Sequence, residues 1–251
     1  MHRIPKLMVF IAGAALFLSP RPSGMAHASD RTAAGPSPIV NPAAFPTSAT
    51  ITNPYYPLKP GTTYLYKGEE KGGVARNTVM VTRQTKVILG VRCVVVRDRV
   101  TVNGELIEDT WDWYAQDTHG NVWYFGEYAT QFQHGVVTGH AGSWQAGVQG
   151  ARPGIAMLGS PRVGQSYHQE ARTGVAQDMA AVINLSGSVC VPYGCYQGKV
   201  VVTKEWSPLE PGVIEHKYYA PGVGMIKTIL VRGGPEQVQL VGLAPAGPGH
   251  P

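Results

Sequence analysis

The stretch from Glu105 to Glu127 concentrates side chains that could do chemistry. It holds six carboxylates and six aromatic residues, and it contains no lysine or arginine. Paired carboxylates can divide acid and base roles when their surroundings separate their pKa values. Aromatic rings beside hydrogen-bonding groups suit a sugar, whose ring faces are apolar and whose edges are hydroxyls, or a cation resting on a ring. This stretch is where the sequence indicates a ligand.

A turn at residues 117–120 would set Gln116 opposite Asn121, and alternation along the two strands would then sort the side chains onto two faces. The expected core face holds Trp111, Trp113, Ala115, Val122 and Tyr124. The expected ligand-binding face holds Asp112, Tyr114, Gln116, Asn121, Trp123, Phe125 and Glu127. The alternative is an ordinary hairpin with an Asp/Gly/Asn turn that binds nothing.

If the protein is an enzyme, the residue types favour a glycoside hydrolase or lyase. Such enzymes use two carboxyl groups at a set separation, and the candidate catalytic residues are Asp112, Glu127, Glu170, Glu205 and Glu215. No serine stands in a Gly-x-Ser-x-Gly setting. The histidines and cysteines lack the spacing of metal ligands, so the sequence predicts no metal and no cofactor.

A second hairpin is predicted at Asn103 and Gly104, since a type I′ turn needs positive φ at both central residues. A regular two-residue turn would place Asp98 opposite Asp109, an unfavourable pair of like charges. Either the two carboxylates share a proton or a cation, or a bulge shifts the register and brings Arg97 opposite Asp109. We expect the bulge.

The elements that position these residues are predicted to be strands. β-branched and aromatic runs recur between Gly, Pro and Asn-Gly breaks, with no long helical periodicity. About ten strands are expected, at 62–66, 78–89, 91–102, 105–114, 121–132, 165–172, 199–206, 213–219, 225–231 and 237–243. The Gly/Pro-rich stretch 139–164 is expected to be a long loop or a short helix. The predicted fold is all-β: a single antiparallel domain forming an open or half-closed barrel or a sandwich.

The N-terminus has the pattern of a secretory signal. Arg3 and Lys6 precede an apolar run at 7–18, and Ala26-His27-Ala28 is a small-x-small cleavage site. The expected organisation is a signal peptide at 1–28, cleaved after Ala28, a disordered Pro/Ala/Ser leader at 29–50, a β domain at 51–243 and a disordered tail at 244–251. No later window is apolar for long enough to predict a membrane span. The protein is therefore expected to be secreted or periplasmic.

Charge and cysteine content follow from that cleavage. Without Arg3, Lys6 and Arg21, the chain keeps 18 of its 21 basic residues against 16 acidic ones, a formal charge of +2. No Lys/Arg stripe interleaved with aromatics predicts nucleic-acid binding. In an oxidising compartment, Cys190 and Cys195 are expected to form a disulfide and Cys93 to be a buried strand residue, with three unpaired cysteines as the alternative.

Several segments resemble an uncharacterised family of exported, β-rich bacterial proteins. They are Asp112-Trp113-Tyr114-Ala115-Gln116-Asp117, Gly120-Asn121-Val122-Trp123-Tyr124-Phe125-Gly126-Glu127, Gly142-Ser143-Trp144 to Gly154, and Tyr219-Ala220-Pro221-Gly222-Val223-Gly224. The last segment is also similar to the end of periplasmic proteins with a lipoprotein-carrier-like half-open barrel. The resemblance implies export and a β-rich fold, and no activity.

Three functions follow as expectations. The first is a secreted or periplasmic binding protein that holds a small molecule, sugar or lipid in a curved β-sheet, with the hairpin from Trp111 to Glu127 as part of its wall. The second is the carbohydrate-active enzyme described above. The third is a structural component of the envelope. The expected partner is a small-molecule or carbohydrate ligand.

Overall fold

The computed structural model describes residues 39–70 and 73–245, so the predicted signal peptide and most of the C-terminal tail lie outside the described residues. Within that part the chain is all-β, with one short 3-10 helix at Pro42–Ala44. The fifteen strands are β1 Thr62–Glu70, β2 Gly73–Ile88, β3 Val91–Val102, β4 Glu105–Gln116, β5 Val122–Gln133, β6 Val136–Gly139, β7 Trp144–Gln145, β8 Arg152–Met157, β9 Ser166–His168, β10 Glu170–Ala171, β11 Met179–Val191, β12 Gly194–Trp206, β13 Ile214–Ala220, β14 Gly224–Arg232 and β15 Gln237–Pro245.

These strands form one antiparallel sheet, which is open, as the sequence predicted. Its order is β10-β8-β5-β4-β3-β2-β1-β15-β14-β13-β12-β11-β9, and β6 and β7 both pair with β5. The two ends of this order, β9 and β10, are consecutive in the chain and are separated by Gln169 alone. The sheet therefore curls until its two ends meet at one residue, although its ladder of hydrogen bonds does not close into a barrel.

The curled sheet encloses an interior that the N-terminal segment helps to fill. Ile51 forms an isolated bridge with Leu58, and the Tyr56 ring lies between the rings of Tyr114, at 5.6 Å, and Tyr219, at 6.2 Å. Tyr114 belongs to β4 and Tyr219 to β13, on opposite halves of the sheet order. The segment thus ties the two halves together through aromatic contacts.

The Gly/Pro-rich stretch differs from its prediction, because it contains strands β7 and β8 and no helix. Gly154 on β8 approaches the backbone of Gln169 so closely that a Cβ would overlap it.

Strand β11, which pairs with β9 and β12, was not predicted from the sequence. Its distal half is mostly exposed, which explains the absence of an apolar pattern there.

The hairpin at Asn103 and Gly104 has positive φ at both residues, 50° and 86°, as a type I′ turn requires. The predicted bulge is present, since the register shifts between Val100 and Thr101, but it places Arg99 opposite Asp109, so the predicted position of Arg97 opposite Asp109 is wrong. Arg97 reaches Asp109 diagonally with two hydrogen bonds of 2.9 and 2.6 Å. The bulge converts a repulsive pair into a bidentate ion pair.

Cys190 and Cys195 form a disulfide at the tip of the β11–β12 hairpin, while Cys93 is a buried free thiol on β3. Part of the segment expected to be a disordered leader, residues 39–50, lies in the described region. There Phe45 packs edge-on against Trp123 and Phe125 at 5.6 and 5.7 Å. This contact covers one end of the outer face of the sheet.

Candidate functional site

The β4–β5 hairpin has a different register from the predicted one. Gln116 pairs with Val122 and not with Asn121, because the loop is one residue longer than a four-residue turn. Asp117 organises it: Oδ1 accepts from the backbone N–H groups of His119 and Asn121, and Oδ2 accepts from Asn121 Nδ2 and Trp123 Nε1, all within 2.9 Å. The expected facing of Gln116 and Asn121 is therefore wrong.

A β-bulge at Gly126 shifts the alternation a second time. Gly126 has φ 128°, and a Cβ there would overlap the carbonyl oxygen of Trp144, so the position requires glycine. Downstream of it, Glu127 lies opposite Asp112 and Tyr128 opposite Trp111. The two deviations cancel for Glu127, which shares a face with Asp112 as predicted, while Trp123 and Phe125 lie on the other face.

Asp112, Tyr124 and Glu127 form a hydrogen-bonded cluster inside the curled sheet. The Tyr124 hydroxyl lies 2.7 Å from Asp112 Oδ1 and 2.9 Å from Glu127 Oε2, and both carboxyl groups are at most 3% exposed. A hydroxyl has one proton to donate. One of the two carboxyl groups must therefore be protonated and donate to the Tyr124 oxygen.

Burial also favours a protonated carboxyl group in the pair formed by Asp112 and Glu127. Desolvation, with the charges of Glu170 and Asp112, raises the pKa of Glu127 well above its ordinary value. Desolvation also raises the pKa of Asp112, to about 7, although the hydrogen bond from Tyr124 opposes it. Both shifts favour a protonated carboxyl group in this pair.

Glu170 belongs to the same cluster. It lies on β10, is 1% exposed, and accepts a 3.1 Å hydrogen bond from Trp144 Nε1. The Trp144 ring packs edge-on against Tyr124 at 5.4 Å. Desolvation and the nearby charge of Asp178 raise the pKa of Glu170 well above its ordinary value. We call Asp112, Glu127 and Glu170 the acidic cluster.

The remaining two candidate carboxylates, Glu205 and Glu215, lie in the other half of the sheet. Lys217 Nζ is 2.7 Å from Glu205 Oε2 and 3.8 Å from Glu215 Oε2. Glu205 also accepts hydrogen bonds from Thr203, at 2.7 Å, and Tyr219, at 3.2 Å. All five candidate catalytic residues are thus buried, three in the acidic cluster and two around Lys217.

Most of the predicted ligand-binding residues are occupied by contacts within the chain. Gln116 Oε1 accepts from the backbone N–H groups of Thr52 and Asn53, and Asn121 Oδ1 accepts from Gly159 N. Tyr114 is 1% exposed, Trp123 8% and Phe125 0%. Their ligand-binding role stays a prediction, and in this structure they hold the hairpin in place.

The outer face of the same hairpin carries an open groove with a volume of about 680 Å³. Trp111, Trp113 and Tyr128 line it; Trp111 and Tyr128 are directly opposite each other on β4 and β5. Tyr128 is 46% exposed and stacks on His140 at 4.8 Å. The groove falls within the volume range of small-molecule sites, and its floor is a row of aromatic rings.

Polar and cationic side chains form the walls of this groove. Lys86 Nζ lies 3.3 Å from the centre of the Trp113 ring. On the opposite wall, Arg172 donates to Ser143 O at 2.6 Å and to Gln149 Oε1. Gln84 and Gln145 also line the groove. The arrangement offers ring faces for stacking and amide and cationic groups for hydrogen bonding.

The sequence assigned Trp111 and Trp113 to a core face; Trp113 is 7% exposed and belongs to the core, whereas Trp111 is only partly buried. The sequence did not single out Tyr128. A signal was present in the Trp-x-Trp spacing, which puts two large rings on one face of a strand. The glycine at 126 was the other signal, since an isolated glycine in a strand suggests a bulge that changes the face of the residues after it.

The apolar cavity beside Tyr56, Leu58 and Met225 has a volume of about 20 Å³. That is room for about one water molecule, and it does not accommodate a lipid chain. Among residues 39–70 and 73–245, no helix is long and apolar enough to cross a membrane. In the same residues, no group of three or more His, Cys, Asp or Glu side chains is placed to hold a metal ion.

Fold and site together define a class: an all-β protein with one open, curled antiparallel sheet, an acidic cluster inside it and an aromatic groove outside. No family model and no curated protein matches the sequence. A structure from Bacteroides fragilis NCTC 9343, described as an exported protein with a YmcC-like fold, is 12% identical with a TM-score of 0.44, over 76% of this chain and 98% of that one. A structure from Parabacteroides distasonis ATCC 8503, described as a lipoprotein, is 12% identical with a TM-score of 0.38, over 79% and 100%. Similarity at this level assigns no function.

Proposed function

We propose that this protein is an exported binding protein that holds a saccharide in the groove on the outer face of β4 and β5. The observation that supports the proposal is the pair of rings formed by Trp111 and Tyr128, which lie opposite each other on the floor of an open groove. Sugar rings stack their apolar faces on such side chains, and the amides of Gln84, Gln145 and Gln149 at the walls could meet the hydroxyls.

The filled interior of the curled sheet favours a binding site on its outer face. Tyr56 and its neighbours fill the space between the two halves of the sheet, and the cavity that remains beside them is about 20 Å³. A ligand of several sugar rings fits the groove, which is more than an order of magnitude larger.

Binding is tested with a panel of oligosaccharides, by calorimetry and by quenching of tryptophan fluorescence. Tyr128→Ala removes an exposed ring from the groove and should weaken binding about tenfold or more, because the stacking energy of that ring is lost. Tyr193→Ala is the matched control, because Tyr193 is 40% exposed and lies at the tip of the β11–β12 hairpin. Equal affinities of the two variants would refute the groove as the site.

Glycosidic hydrolysis is a second candidate, favoured by one observation. Glu127 is among the residues that line the groove, and its buried carboxyl group shares the Tyr124 hydroxyl with Asp112 inside the sheet, a proximity in keeping with the pair of a retaining glycosidase. Release of reducing ends from a bound oligosaccharide, lost in Glu127→Gln, would establish it. Binding without any release would leave the binding function alone.

Export is tested on the protein itself. Expression of the full chain in a bacterial host should yield a mature protein in the extracytoplasmic fraction that begins at Ser29, as read by N-terminal sequencing. Retention of Met1 in the cytoplasmic fraction would contradict export.

A further inference from the structure

The charges around the groove are unequal, and this asymmetry bears on the ligand. Lys86 and Arg172 line opposite walls, and among the described residues no ion pair joins either of them to a carboxylate. Arg97, which lies 5.0 Å from the Trp111 ring, is by contrast neutralised by Asp109. The two wall cations are therefore available to an anion.

Glu127 is the acidic residue among those that line the groove, and it does not cancel these charges. Its Oε2 is hydrogen-bonded to Tyr124, and the single proton of that hydroxyl requires a protonated carboxyl in the pair. The lining of the groove thus has two positive groups and one carboxyl group, which is buried, hydrogen-bonded to Tyr124 and, among the described residues, in no ion pair with either cation.

Both cations are held in place. Lys86 rests on the face of Trp113, a contact that fixes the ammonium beside the aromatic floor. Arg172 is fixed by Ser143 and Gln149, both uncharged partners, so its positive charge is oriented and not neutralised. Pre-ordered groups of this kind lose little side-chain entropy when a ligand binds.

We propose that the ligand is an acidic saccharide, whose rings stack on Trp111 and Tyr128 and whose anionic substituents are bound by Lys86 and Arg172. This inference rests on the proposed function and specifies its ligand class. A neutral saccharide would leave the two cations without an anionic partner, whereas a carboxylate or sulfate ester on the sugar would form charge-assisted hydrogen bonds with them.

The test compares acidic and neutral oligosaccharides on the full mature chain: oligogalacturonate, alginate and hyaluronan oligomers against methyl-esterified oligogalacturonate, chitin and β-glucan oligomers. The acidic members should bind at least tenfold more tightly, and raising the salt concentration from 0.05 to 0.5 M, chosen to shorten the screening length severalfold, should weaken them. Lys86→Met keeps the aliphatic contact with Trp113 and should lower affinity for acidic sugars about tenfold, with no change for neutral ones.

Lys67→Met is the control, since it removes one positive charge from an exposed position on β1, outside the groove lining. Arg172→Lys, which retains the charge, should lose less affinity than Arg172→Gln. Binding of neutral sugars that equals or exceeds that of acidic ones would overturn the ligand class and leave saccharide binding intact. Failure of the whole panel to bind would overturn both.

Discussion

Lys217 and Glu205 form an ion pair inside the curled sheet: Lys217 Nζ is 2.7 Å from Glu205 Oε2, and the two side chains are 4% and 5% exposed. Burial by itself would lower the pKa of the Lys217 ammonium, but the charges of Glu205 and Glu215 outweigh it and raise the pKa above its ordinary value. Desolvation raises the pKa of Glu215 to about 8, against the influence of Lys217. One lysine thus compensates two carboxyl groups in the interior.

Replacing Lys217 with methionine should destabilise the protein by about 3–5 kcal/mol at pH 8, because a buried carboxylate loses its counter-charge. Urea unfolding measures the effect. Lys204→Met, on β12 beside Trp206, is the control and should cost under about 1 kcal/mol. The double change Lys217→Met with Glu205→Gln should recover part of the loss. Equal stability of the two single variants would contradict the role of Lys217.

The stability of the fold should fall as the pH rises from 5 to 9. The pKa values of Asp112, Glu127, Glu170 and Glu215 are all raised in the folded state, mainly by desolvation. In the unfolded chain these groups titrate near pH 4. Their protonated forms therefore favour folding, fully so below about pH 4, and this contribution is lost as the pH passes the folded values, about 7 for Asp112 and 8 for Glu215.

Glu127→Gln isolates one part of this pH dependence. The amide mimics the protonated acid, because it can donate to the Tyr124 oxygen at every pH. Thermal melts should show a shallower loss of stability in Glu127→Gln than in the parent, by up to about 1.4 kcal/mol per pH unit. Glu69→Gln, at an exposed position on β1, should leave the slope unchanged. A parent whose stability is constant or rises over this range would refute the prediction.

Asp117→Ala should destabilise the hairpin at the groove by about 3 kcal/mol or more, since four N–H donors lose their acceptor at a buried position. Asp117→Asn keeps one acceptor oxygen, so its stability should lie between those of the parent protein and Asp117→Ala. Denaturant unfolding followed by tryptophan fluorescence measures both. Thr118→Ala changes the exposed neighbouring side chain and should be neutral; a similar loss in that variant would show that the loop, and not the carboxylate, is responsible.

The cysteines should differ sharply in reactivity. The Cys93 side chain is 0% exposed, and burial raises the pKa of its thiol to about 12, so iodoacetamide should add no label to the native protein and one label after unfolding without reductant, as read by intact mass. Labelling of native Cys93 would contradict its burial.

Replacing Cys190 and Cys195 together with alanine should lower the free energy of unfolding by about 2 kcal/mol, since the disulfide closes a short loop.

The sequence predicted the all-β class, the open antiparallel arrangement and the bulge near Asp109, because strand periodicity and opposite charges act between neighbours in the chain. It did not predict β8, where Pro153 and Gly154 are typical of a loop. The glycine is needed there for the close approach of the Gln169 backbone, a contact that only the folded chain creates. Local preference was overridden by tertiary packing.

The candidate site, like the fold, could be predicted only in part from the sequence. The sequence identified the acidic, aromatic hairpin and placed Asp112 with Glu127. It assigned Trp111 and Trp113 to the core, which is right for Trp113 and not for Trp111, which is only partly buried. The face of each β5 side chain relative to β4 depends on two local features, the Asp117 loop and the Gly126 bulge, and each shifts the alternation by one residue. The groove also needs Lys86 and Arg172, which lie 25 residues or more from Trp111 in the chain and meet it only through folding.

Gln169, the residue between β9 and β10, lies at the seam where the two ends of the sheet meet and where copies of this chain could otherwise pair edge to edge. Edge strands offer unpaired backbone groups, along which other chains can add and begin an aggregate. Here the strands at the two ends of the sheet order are three and two residues long, and they continue into one another through Gln169 and Glu170, whose N–H groups both donate to Asp178 O. At this seam the sheet thereby presents almost no ladder to a neighbouring molecule.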